Sequence, residues 1–445
     1  MYDPRLNQQI DSILQLDLDT AGVLSALRAL EYIQHSIGGV SPVGCVLSIK
    51  PRRMQIGFCM SWLAHRDEYY EIIGGINSMR KKATIDAKAF SEGLDQVSKS
   101  LQKSSYPALS EVSVQFKGGA CTLTATNLDM WLRKQIPAQG DDLAFVFTRT
   151  KDVAKACRLF DGVLELELEV TGSEQHKVWS LLMRCGARAA QFDVMDPELY
   201  PVCPSFEAES SFPVNAAALY ARAERVSYAA MDPMPNTQPN RTSIQFSGPY
   251  VFALDGNQMA CDRDPAFVFP RPFTASKGTV SYLKLFGKQD VQIEFGKGRV
   301  RITDGVFNLD FRIPSTDLYA VDQAIPKSYA EIFSVSPKDF LRELRYLKGF
   351  TVKERRPYVR FSGGELVMPV SSGTYRAAVQ CVGETRMAFA FDLNRMIAAL
   401  RQFKDAPSVQ IKVNSPVSPF IIEAEGRSDL ALVCPVRLSG KLLAA

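Results

Sequence analysis

Residues Val114-Gln-Phe-Lys-Gly-Gly-Ala-Cys-Thr-Leu-Thr-Ala-Thr-Asn-Leu-Asp-Met-Trp-Leu-Arg133 read as a short strand through Phe116, a Gly-Gly turn and a second strand. The pattern returns as Ile244-Gln-Phe-Ser-Gly-Pro-Tyr-Val-Phe-Ala-Leu-Asp-Gly-Asn-Gln-Met-Ala260, and again as Val359-Arg-Phe-Ser-Gly-Gly-Glu-Leu-Val-Met-Pro-Val-Ser-Ser-Gly-Thr-Tyr-Arg376. Strand-forming residues on both sides of a glycine-bearing turn are the signature of a β-hairpin. The three phenylalanines, Phe116, Phe246 and Phe361, stand 130 and 115 residues apart. That period is too long for a solenoid and suits a domain repeated in tandem.

The segments around each hairpin support the repeat. A strand and a helix precede it, and a strand, a second helix and further strands follow. In the first copy the helices are expected over Ala87–Leu101 and Lys151–Phe160. In the second they fall over Ala216–Met231 and Val280–Phe286, and in the third over Pro337–Leu347 and Leu393–Phe403. Turn-rich stretches at Asp196–Pro201 and Pro314–Pro326 separate the copies. The expected fold class is α+β, with three domains at 81–205, 206–327 and 328–445, each with two helices packed on sheets. Residues 1–80 stand outside the repeat as a small α+β extension of unknown role. It has a helix over Thr20–His35, strands over Val43–Lys50 and Met54–Ser61 joined at Pro51-Arg52, and a short helix over Asp67–Ile73.

Composition fits this reading. A chain of 445 residues with 46% hydrophobic and 22% charged residues is ordinary for three globular domains. The net charge of +4 permits a polyanionic partner without demanding one. Nine cysteines, with no C-x-x-C pair, point to free thiols in a reducing cytoplasm. Neither a signal peptide nor an apolar run long enough to span a membrane is expected, which again suits a cytoplasmic protein.

Catalytic chemistry has no foothold. His35, His65 and His176 are the only histidines, and none has a partner at metal or triad spacing. There is no P-loop, and Gly296-Lys-Gly298 reads as a hairpin turn. Neither an enzyme nor a cofactor or metal is expected.

The cations follow a pattern instead. Each of the six repeat helices carries basic residues in it or just after it: Lys99 with Lys103, Lys151 with Lys155 and Arg158, Arg222 with Arg225, and Lys284 with Lys288. The third copy adds Arg342, Arg345 and Lys348, then Arg395, Arg401 and Lys404. Spacings of three and four place such residues on one helix face. Helices lining one side of an assembly would then present a phosphate-facing surface that binds nucleic acid without reading its sequence.

These residues resemble the bacterial sliding clamp family, the β subunit of the replicative DNA polymerase III holoenzyme. Leu123-Thr-Ala-Thr-Asn-Leu-Asp129 is similar to that family's "LTATDLE", Ala253-Leu-Asp-Gly-Asn-Gln-Met-Ala260 to its "ATDGHRLA", and Leu432-Val-Cys-Pro-Val-Arg-Leu438 to its "VVMPMRL" ending. The resemblance covers roughly residues 82–438. It implies a head-to-tail homodimer closed into a ring, helices inward and sheets outward, which holds duplex DNA topologically. It also implies a replicative polymerase, an ATP-dependent clamp loader and repair proteins as partners, bound through short peptides. The alternative is a clamp-derived regulatory or scaffold protein that keeps the fold without being a loaded replication ring.

Carried over by position, the peptide pocket would be built by Leu254, Gly256, Asn257, Gln258 and Met259 with Leu432, Cys434, Pro435, Val436 and Arg437. Phe350 would pack against the first domain of the partner subunit. Asn257-Gln258 stands where the family has His-Arg, and Cys434 where it has Met. The family begins at its first strand, so the N-terminal extension is an addition. Within it, Gln15-Leu-Asp-Leu-Asp19 matches the first four places of the clamp-binding peptide pattern but lacks its aromatic or leucine anchor. The plainer reading places Ile10, Ile13, Leu14, Leu16 and Leu18 in a helix or turn that packs on the extension's own core.

Overall fold

A computed structural model describes residues 48–50, 53–55, 79–173, 176–234, 237–314, 318–351 and 357–437. The architecture is α+β, and the chain divides into two compact units. One runs up to Ala125 and resumes over Lys134–Pro201; the other holds Thr126–Arg133 and the chain from Val202 onward.

In the first unit, strand Met79–Asp86 enters helix α1 (Ala87–Ser98). The Asp86 carboxylate caps the helix by accepting the Ala89 N–H at 2.7 Å. The hairpin strands Ser113–Lys117 and Ala120–Thr126 follow, with Phe116 opposite Cys121. Gly118 and Gly119 form the turn at φ +58° and +79°, the pair of left-handed residues that a tight hairpin of this twist requires. Strand Leu143–Phe147 leads to α2 (Thr150–Cys157), which packs on α1, with Arg158 bonded to Asp95 at 2.8 Å. Strands Val163–Ser173, His176–Cys185 and Arg188–Met195 form an antiparallel meander beside the first strand. Leu164, Leu166 and Leu168 point inward, while Glu165, Glu167 and Glu169 alternate with them.

The second unit contains the other two hairpins. Helix α3 (Ala216–Ser227) begins at the Asn215 cap, and α4 (Lys277–Ser281) begins at the Ser276 cap and tightens into a 3₁₀ turn over Tyr282–Phe286. Helices α5 (Pro337–Lys348) and α6 (Leu393–Gln402) pack on each other, capped by Ser336 and Asp392. The repeated phenylalanines anchor the cores. Phe246 stacks on Phe273 with ring centroids 4.4 Å apart, and Phe361 stacks on Phe333 at 5.1 Å.

One nine-stranded sheet runs through this unit. In order it takes Phe269–Ser276, Ser243–Gly248, Tyr250–Leu254, Gln258–Arg263, Asp429–Val433, Phe420–Glu423, Val409–Val413, Glu331–Val335 and Cys381–Gly383. The first four strands come from the second repeat and the rest from the third, so one hydrogen-bonded ladder joins the two copies.

Several expected boundaries move. Helix α3 ends at Ser227 rather than Met231, and the last strand stops at Val433 rather than Leu438. Pro435 has no N–H to extend the ladder. The Pro314–Pro326 linker contains a helical turn, Val321–Ala324, with Val321 buried. In the extension, Ser48–Lys50 pairs with Arg53–Gln55; the rest of the strands expected over Val43–Lys50 and Met54–Ser61 lies outside the described residues. Its expected helices Thr20–His35 and Asp67–Ile73 and the Gln15–Asp19 motif lie outside the described residues. No helix among the described residues is long and apolar enough to cross a membrane.

Candidate functional site

The pairing that joins the second and third repeats sets the geometry. Gln258–Arg263 runs antiparallel to Asp429–Val433, with Met259 opposite Leu432 and Cys261 opposite Leu430. Residues two apart on a strand share a face, so these side chains gather on one side. Phe252, Leu254, Met259, Cys261, Val321, Ile421 and Leu432 form one apolar cluster there, with Cys434 packed against it.

A tight turn borders this cluster. Asp255 Oδ1 accepts the N–H groups of Asn257 at 2.7 Å and Gln258 at 2.9 Å, while Arg395 Nε donates to Oδ2 at 3.2 Å. Gly256 has φ +89°, a conformation that favours glycine, and it lies in ordinary contact with the Arg241 guanidinium. The Cys434 N–H donates to the Asn257 carbonyl at 2.8 Å and the Val436 N–H to that of Ala390 at 2.7 Å, tying the tail across the turn. Burial first, then the Asp255 carboxylate, push the Cys434 thiol above the ordinary cysteine range, against the opposing effect of Arg395.

Of the ten expected pocket residues, Leu254, Met259 and Leu432 are buried within the cluster. Gly256 and Asn257 sit exposed on the turn, and Pro435 and Val436 are half-buried. Gln258 is buried, and its Oε1 has no hydrogen-bond partner among the described residues. Arg437 is exposed at the end of the described chain. Val321, Ala324 and Ile325 also contribute, from a segment read only as a linker. Their spacing of three and four was a legible helical signal. Ile421 and Tyr329 carried no such signal.

The basic helices divide into two sets. Lys99, Lys103, Lys151, Lys288, Arg345, Lys348, Arg401 and Lys404 are exposed and pair with no carboxylate among the described residues. Lys155 lies 3.9 Å from Asp152, and Lys284 sits 5.1 Å from the Tyr220 ring. Arg158, Arg342 and Arg395 are held by Asp95, by Asp339 and Glu343, and by Asp255 and Asp392. Arg222 corrects the expectation of a phosphate-facing side chain. It is buried, and its Nε donates to Asp262 Oδ1. Arg225 binds the same carboxylate through Nε at 2.7 Å. A fully buried Asp262 draws both cations of α3 inward, because a buried carboxylate must be paired.

Phe350 follows α5 and is 38% exposed. It stacks on Tyr375 with centroids 4.0 Å apart and meets Tyr346 edge-on at 5.2 Å. Tyr346 is also exposed, so the three rings form an aromatic ledge.

Residues 81–204 match the family model of the DNA polymerase III beta subunit, N-terminal domain. The beta sliding clamp of Lactococcus lactis is 22% identical over 397 residues, spanning 80% of this chain and 99% of that protein. The DNA polymerase sliding clamp from Pseudomonas aeruginosa, solved with a ligand, superposes with a TM-score of 0.68 at 16% identity, covering 80% of this chain and all of that one. The DNA polymerase III beta subunit of Thermotoga maritima superposes with a TM-score of 0.67 at 18% identity, covering 81% of this chain and all of that one. The fold is that of a DNA sliding clamp. Residues 81–204 match the N-terminal domain of the DNA polymerase III beta subunit, residues 1–80 lie outside that match, and the likeness to the solved clamps shows the fold.

Proposed function

We propose that this protein is a non-enzymatic processivity clamp of the cytoplasm, three domains long (81–205, 206–327 and 328–445), that closes as a homodimer around duplex DNA. The observation that carries this reading is the apolar cluster at Met259 and Leu432, set where one sheet passes from the second repeat to the third. An apolar floor beside an exposed turn suits the anchor of a linear peptide. Through it the clamp tethers a replicative polymerase, a clamp loader and repair proteins.

Two sheet edges support ring closure. Among the described residues, 188–193 pair on one side only, with His176–Cys185, and Gly373–Ala378 pairs only with Glu365–Val370. Open edges are usually paired or covered. A head-to-tail dimer would pair one with the other, placing the Tyr346–Phe350–Tyr375 ledge at the seam. The exposed helix cations would supply a field for phosphates with no base-specific well, as sliding needs. The test is retention on nicked circular DNA after loading. A working clamp stays bound and is lost on linearisation; equal retention on both forms, or none on either, rejects the reading.

A further inference from the structure

The Asp255 turn has a counterpart at Asn127. Asn127 Oδ1 accepts the N–H groups of Asp129 at 3.2 Å and Met130 at 3.0 Å, and Arg312 N–H donates to the Asp129 carbonyl at 3.1 Å, as Cys434 N–H does to Asn257. That equivalence puts Trp131 in the place of Met259 and Asp310 in the place of Leu432. At Asn127, therefore, the counterpart of the apolar cluster is charged.

Asp310 is 1% exposed and both its oxygens are used. Arg301 Nε donates to Oδ1 at 2.6 Å and Arg133 Nη2 to Oδ2 at 2.7 Å. Arg299, two residues from Arg301 on the same strand face, finds no carboxylate there. Its Nε and Nη2 are buried without an acceptor among the described residues. Trp131, two residues from Arg133 on its strand, is 2% exposed, and its indole N–H likewise has no partner among the described residues. The Val202–Glu209 segment roofs this face: Phe206 covers Arg301 at 4.1 Å, and a Cβ on Gly296 would come within 2.8 Å of the Glu207 carbonyl.

We propose that Arg133, Arg299, Arg301 and Trp131 form a binding site for a small oxyanion, phosphate or carboxylate, beneath this roof. Guanidinium and indole N–H groups are donors only, so acceptor atoms alone satisfy them. Buried donors left unmade are costly, and native structures supply partners for nearly all of them. Arg133 and Arg301 bond Asp310, and Arg301 also lies 3.7 Å from Glu294, so Arg299 adds a third positive charge beside two carboxylates. An oxyanion answers both deficits through charge-assisted hydrogen bonds.

The test titrates full-length protein with phosphate, and separately with acetate, against chloride at matched ionic strength. Melting midpoint and tryptophan emission are followed. Binding raises the midpoint by about 2 °C or more and shifts the emission. Arg299→Gln weakens the response at least tenfold, and Trp131→Phe, which keeps an aromatic ring but loses the indole and its N–H donor, weakens the rise in midpoint and removes the emission change. Response to phosphate alone assigns a tetrahedral anion, and response to acetate alone a carboxylate. A response no different from chloride, or one that survives both variants, overturns the site.

Discussion

Arg222 donates through Nε to Asp262 Oδ1 at 2.8 Å, with 7% of the arginine and none of the aspartate exposed. Arg225 Nη2 closes on the other oxygen at 2.6 Å, and Ser428 Oγ donates to it at 3.1 Å. The carboxylate thus ties helix α3 to its own sheet and to the strand that brings in the third repeat. Removing one partner of such a pair leaves a buried charge without compensation. Asp262→Asn is expected to cost about 3–5 kcal/mol, read as a fall in the urea midpoint at unchanged m-value. A loss under about 1 kcal/mol would show that the pair is not holding this junction.

DNA binding should follow the exposed cations rather than Arg222. Lys348→Glu with Lys404→Glu should shorten residence on nicked circles and flatten the salt dependence, with about 0.5 kcal/mol or less of stability change. Arg222→Glu should instead reduce soluble, folded protein. If Arg222→Glu folds normally and selectively loses DNA, the burial argument is wrong.

The aromatic ledge predicts an association defect without a folding defect. Phe350 is partly exposed in the single chain, so Phe350→Ala should leave chain stability within about 1–2 kcal/mol. Light scattering at micromolar concentration should show the mass falling from a dimer, twice 49.4 kDa, to a monomer. A dimer unchanged by the substitution places the seam elsewhere.

Cys434 offers a test of the proposed peptide site. Because its thiol is raised above the ordinary range, less of it is thiolate at pH 8 than in a free cysteine, and its alkylation should keep accelerating as pH climbs past that range. Arg395→Gln removes the one cation that lowers this pKa and should slow alkylation further. A clamp-binding peptide should protect Cys434 from the reagent, followed by mass spectrometry of the adduct. Alkylation at the same rate with saturating peptide would separate this residue from the site.

The three hairpins, their turns and the order of helices were legible because each depends on local chemistry. Paired glycines can take left-handed conformations, strand residues alternate, and Asp86, Asn215, Ser336 and Asp392 offer side chains at helix starts. The motif around Asp255 and the tail around Cys434 also showed in the chain, since both keep short runs of recognisable residues. Their meeting did not show. Met259 faces Leu432 only because Gln258–Arg263 and Asp429–Val433, 170 residues apart, pair in one register. The fate of the cations was hidden for the same reason. Arg222 and Arg225 read like the other helix pairs at spacing three, and nothing local distinguishes a cation facing solvent from one facing a buried carboxylate. What separates them is Asp262, brought beneath α3 by a strand forty residues later, where desolvation makes pairing obligatory. Local propensity and turn chemistry were enough for the elements, while strand register and burial, which belong to the whole fold, decided which residues form the site.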